Sequence, residues 1–66
     1  MTITVNSKVC EVPEGTTVGE FLESAGENPR RCVVELNGEA MAYGRFAEIV
    51  LRGGDVLEIM RVVAGG

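Results

Sequence analysis

From Thr2 to Asn6 the chain alternates. Ile3 and Val5 fall on one side and Thr2, Thr4 and Asn6 on the other, the period-two pattern of a half-buried strand. Asn6-Ser7 supplies a turn, weaker than Asn-Gly would be, and residues 9–12 resume extended character until Pro13 removes a backbone donor and Gly15 permits another turn. These segments predict a β-hairpin. The period then changes: Val18, Phe21, Leu22 and Ala25 recur at i, i+3, i+4 and i+7, and Glu20 lies three residues after Thr17, the spacing of a capping box. An amphipathic helix is expected over residues 18–25, ended by Gly26 in a left-handed cap and kept from restarting by Pro29. Its apolar stripe reads as core.

Residues 33–36 form a short β-rich run ending at Asn37-Gly38, the dipeptide best suited to positive φ at both centres of a type I′ hairpin turn, with residues 39–41 as the return strand. Residues 43–51 are ambiguous, with a helical turn around Arg45-Phe46-Ala47 and extended residues after it. Gly53-Gly54-Asp55 breaks the chain. Residues 56–63 then read as the longest strand, with Leu57, Ile59 and Val63 on one side and Val56, Glu58, Met60 and Val62 on the other. Apolar residues on both sides predict a central strand, one face packed on the helix and the other partly exposed and available for binding. The whole reads as an α+β domain, one main helix laid across a mixed sheet of four to five strands.

Composition narrows what such a domain does. Its 66 residues allow one small core and no enclosed catalytic cleft, and that core is drawn from Val, Leu, Ile and Ala, since only Phe21, Tyr43 and Phe46 are aromatic. Ten acidic residues against six basic ones give a net charge of −4, which opposes binding to nucleic acid. Met1-Thr2-Ile3-Thr4 lacks a basic stretch leading into an apolar one, and apolar runs such as Ile49-Val50-Leu51 are too short to span a bilayer, so a soluble, cytoplasmic protein is expected. Histidine is absent and the two cysteines have no metal-like spacing, so neither a metal site nor self-contained catalysis is expected. Glu11, Glu14, Glu20, Glu23 and Glu27 read as a solvated surface, because acid–base work needs desolvated carboxylates in a cleft. Gly53-Gly54-Asp55 precedes a strand and lacks the lysine and hydroxyl residue of a phosphate loop.

The sequence ends in Val62-Val63-Ala64-Gly65-Gly66. Terminal glycines pack no side chain and resist ordering, so the folded domain is expected over residues 1–63 and a flexible tail over 64–66. The physical use of such a tail is access: backbone without Cβ atoms threads a narrow slot and delivers a carboxylate to another protein's active site.

Together with Glu14-Gly15-Thr16-Thr17-Val18, Leu36-Asn37-Gly38-Glu39, Gly54-Asp55-Val56-Leu57-Glu58-Ile59 and Ala64-Gly65-Gly66, the order of elements resembles the ThiS family of sulfur carriers over essentially the whole chain. The resemblance implies a ubiquitin-like β-grasp fold, with the first and last strands adjacent and parallel at the sheet centre. It also implies a chemistry. A carboxylate at neutral pH is a resonance-stabilised anion and a poor electrophile. In the family, a ThiF-like enzyme uses ATP to adenylate it, sulfur from a persulfide donor displaces AMP, and a ThiG-like thiazole synthase takes sulfur from the resulting thiocarboxylate for the thiazole of thiamine. Carried onto this chain, Gly66 is the attachment site and Gly65 and Ala64 are the slender backbone in the partner's channel. A carrier also needs a docking surface, for which Met60 and Val62 on the strand face opposite Leu57 and Ile59 are the candidates, the alternative being that Met60 fills a gap at the edge of the core. Arg61 reads as a solvated charge.

No bound cofactor is implied, ATP and the sulfur donor being handled by the partners, and a carrier that visits more than one enzyme is expected to be a monomer when free. Other diglycine carriers serve molybdopterin, cysteine synthesis or tRNA thiolation, and a ubiquitin-like modifier would use the same activated carboxyl for isopeptide bonds. The short chain and the lack of proline over residues 60–64 favour the thiamine pathway. In the implied sheet, Cys10 and Cys32 stand three strand steps of about 4.8 Å apart, beyond the roughly 7 Å reach of a disulfide, so both are expected as reduced thiols.

Overall fold

The computed structural model describes residues 1–62. Strand β1 (Thr2–Val5) and strand β2 (Lys8–Glu11) form the hairpin, pairing from Thr2↔Glu11 to Val5↔Lys8. Asn6 and Ser7 between them have φ of 49° and 70°, the left-handed pair that a two-residue hairpin turn needs, here achieved without glycine. Helix α1 (Val18–Ser24) follows, with its capping box formed as expected: the Thr17 hydroxyl accepts from Glu20 N–H at 3.1 Å, and Glu20 accepts from Thr17 N–H at 2.9 Å. Gly26 at φ 76° closes the helix, its N–H bonding Glu23 while Glu27 N–H reaches back to Leu22, a Schellman pattern. Pro29 does more than block a restart, since it opens a 3₁₀ turn over Pro29–Arg31 capped by the Asn28 side chain.

Strands β3 (Cys32–Leu36) and β4 (Glu39–Met41) flank the Asn37-Gly38 turn, both residues at positive φ. The ambiguous segment holds a 3₁₀ turn at Tyr43–Arg45, two residues earlier than expected, and no strand; its extended part makes only one bridge, Val50 to Thr17. Three-dimensional context orders it. Ile49 and Phe46 carbonyls accept the N–H groups of Val18 and Gly19 at 2.9 and 3.0 Å, satisfying donors that the first helical turn leaves unpaired. Strand β5 is Val56–Arg61, shorter than the expected run to Val63; Val62 lies beyond the strand and Val63 outside the described residues.

The strands order as β2-β1-β5-β3-β4, with β1 and β5 parallel and the other neighbours antiparallel. This mixed sheet crossed by one helix is the β-grasp arrangement, and it puts β5 at the centre. Pairing aligns Ile3, Leu57 and Val34 on the helix side, where they bury with Val18, Phe21, Leu22, Val12, Phe46 and Leu51. Each fully buried Leu or Val side chain there contributes about 1.5–3 kcal/mol through removal of apolar surface from water. Among the described residues, no helix covers the opposite face of the sheet.

Candidate functional site

The chain leaves the sheet at the end of β5, and the residues there are held by several independent contacts. Val33 pairs with Met60 and Cys32 with Arg61, and the Val62 N–H still donates to the Arg31 carbonyl at 2.8 Å, one residue past the strand. On the other flank β1 has already turned away at Asn6. Its side chain replaces the missing backbone: Oδ1 accepts from Ile59 N–H at 2.7 Å and Nδ2 donates to the Ile59 carbonyl at 3.2 Å. Central β5 is therefore held as far as Ile59 on the β1 flank and as far as Val62 on the β3 flank.

Arg61, expected from the sequence as a solvated charge, is exposed but also paired. It projects on the helix side of the sheet and forks onto Glu27, Nε to Oε1 at 2.8 Å and Nη2 to Oε2 at 2.9 Å. Arg–carboxylate geometry of this bidentate kind is directional as well as attractive. Glu27, expected on the solvated surface, is placed by the Schellman cap, and its side chain is only 16% exposed while that of Arg61 is 73% exposed. The bonded guanidinium holds the Glu27 carboxyl below its ordinary range. Cys32 lies beside them, its Sγ donating to the Asn28 carbonyl at 3.2 Å. Partial burial, then the Glu27 charge, pushes the Cys32 thiol above its ordinary value, so at neutral pH it is a protonated, weak nucleophile. Cys10 sits three strands away in β2, and both cysteines are free thiols.

Met60 lies on the open face of the sheet, 54% exposed and opposite to Leu57 and Ile59, and Val62 beyond it is 53% exposed. Both residues expected as a docking patch are thus exposed, and further apolar side chains share the face of Met60. Val33 sits across from Met60, and Val56 and Val9 are exposed on the same face through the Thr4↔Val56 and Thr4↔Val9 pairs. The signal for Val33 was present, since the Asn37-Gly38 turn fixes the register that buries Val34 and turns Val33 outward. Ala64, Gly65 and Gly66, expected as channel backbone and attachment site, lie outside the described residues. Among the described residues no group of three potential metal ligands converges, and no helix is long and apolar enough to cross a membrane.

The ThiS family model matches residues 1–66. The chain belongs to the ThiS family. Among solved structures, it is similar to the crystal structure of the thiamine biosynthesis protein ThiS from Geobacter metallireducens, with a TM-score of 0.85 and 32% identity over the full length of both chains. It is also similar to the solution structure of a thiamine biosynthesis protein from the same organism, with a TM-score of 0.82 and 32% identity over all of this chain and 88% of that one. No curated protein matches it. The ThiS-family match spans both the sheet and the four residues beyond the described ones, so fold and tail are matched as one unit.

Proposed function

We propose that this protein is a sulfur carrier of thiamine biosynthesis, in which the folded domain presents Ala64-Gly65-Gly66 to partner enzymes. The observation that carries the reading is the whole-chain family match, which includes the diglycine together with the strand that leads to it. In this reading the active form ends at Gly66. A ThiF-like enzyme joins the Gly66 carboxylate to AMP with loss of pyrophosphate from ATP, and a donor sulfur then displaces AMP to leave a thiocarboxylate. A ThiG-like synthase receives that sulfur. The carrier's own part is binding and orientation: β5, held to Ile59 on one flank and to Val62 on the other, fixes where the arm starts, and the exposed Met60 and Val62 meet the partner. Catalytic groups, ATP and the sulfur donor belong to the partners, whose sites supply positioning and electrostatic activation.

Intact-protein mass spectrometry after incubation with ATP, sulfide and a ThiF-type enzyme tests the reading. The expected product carries the increment of one oxygen replaced by sulfur, and a chain lacking Gly65 and Gly66 gains nothing. Conjugates to lysine without that increment would instead indicate a protein modifier. Gly65→Val should keep the folded domain intact by circular dichroism and slow adenylation at least tenfold, since a β-branched side chain obstructs a slot shaped for bare backbone. Adenylation at the wild-type rate would refute the narrow-slot account.

A further inference from the structure

The open sheet face segregates charge. Pairing places Thr2, Thr4, Val9, Glu11, Val33, Glu35, Ala40, Val56, Glu58 and Met60 on it, so every charged strand residue on that side is a glutamate. The basic strand residues lie on the helix side, Lys8 paired with Val5 and Arg61 paired with Cys32, and the other basic residues lie outside the strands. Glu11 is engaged by the Thr2 hydroxyl at 2.8 Å. Glu35 and Glu58 stand directly opposite each other on β3 and β5, next to the Val33↔Met60 pair, and among the described residues neither joins an ion pair. Like charges directly opposed across two strands are unfavourable, with Cβ atoms about 4.5–5.5 Å apart. A cation set between them removes that penalty, and the exposed valines and Met60 around them offer apolar surface from which a docked partner would exclude water.

We propose that this face docks a protein surface that presents an arginine within an apolar surround, the guanidinium shared by Glu35 and Glu58 and the apolar rim seated on Val33, Val56 and Met60. Arginine fits because its planar fork donates to two carboxylates at once, whereas lysine is a single, strongly hydrated point charge. The proposal rests on the carrier reading, in which this surface meets the activating or the sulfur-accepting enzyme. It adds the sign and residue type of the partner's contact.

The test is calorimetric titration of the chain with the ThiF-type and ThiG-type enzymes of its own organism, at low and high salt. Glu35→Gln/Glu58→Gln should bind at least one of them about tenfold or more weakly at low salt, with the difference shrinking as salt screens the contact. Glu14→Gln/Glu23→Gln, which removes the same charge from the loop and helix, should bind as the wild type does. Equal losses in the two double variants, or none in the first, would overturn the proposal and leave the carrier reading standing. Failure of the wild-type chain to bind either enzyme would overturn both.

Discussion

Asn6 carries two duties in one residue. It adopts the left-handed turn, φ 49°, and its amide completes the ladder to Ile59 that the departing β1 backbone no longer supplies. Asn6→Gly separates these roles, because glycine keeps the turn conformation and loses both side-chain bonds. It should lower stability by about 1 kcal/mol in urea unfolding, with faster amide exchange at Ile59; unchanged exchange there would show that the amide is dispensable. Glu27 predicts a pH effect. Its carboxyl binds a proton less readily in the fold than in the unfolded chain, because the Arg61 guanidinium stabilises the anion. Its contribution is therefore complete above the ordinary value of 4.5 and is lost as pH falls through the lower folded value. Thermal midpoints measured from neutral to acidic pH should fall across that window, and Glu27→Gln should flatten the part due to this pair.

Among the elements, α1 has the most local specification, and the capping box is its most testable part. Thr17→Ala should cost about 1 kcal/mol of stability, read from the urea midpoint with the slope unchanged. This helix was legible in the sequence because period, cap and stop signal all lie within a dozen residues. The Asn37-Gly38 hairpin was legible for the same reason. Residues 43–51 were not, because the Ile49 and Phe46 carbonyls are ordered by accepting from N–H groups of a helix terminus some thirty residues earlier, and no local period records that. The exit of β5 was half legible. Alternation put Met60 on the outer face, but the Glu27–Arg61 fork and the Asn6–Ile59 bonds join residues 34 and 53 apart in sequence and appear only once the sheet order is known.

At the scale of the molecule, the sheet order matters more than any one contact. With β5 between β1 and β3, the segment beyond Val62 is rooted in the sheet centre, and the open, acidic face lies beside that root. On the proposed reading, recognition and delivery share one strand: Glu58 and Met60 face outward, Arg61 anchors to Glu27, and the diglycine follows in sequence. On the proposed carrier reading the sulfur is held on the terminal carboxyl, and the Cys32 thiol, raised by burial and the Glu27 charge, is a weak competitor for it. The direct measurement is fragmentation mass spectrometry of the chain after reaction with ATP, a sulfur donor and a ThiF-type enzyme. The exchange of oxygen for sulfur is expected to map to the fragment containing Gly66 and to survive thiol reductant. Sulfur found as a reducible persulfide on Cys10 or Cys32, with Gly66 unmodified, would contradict it.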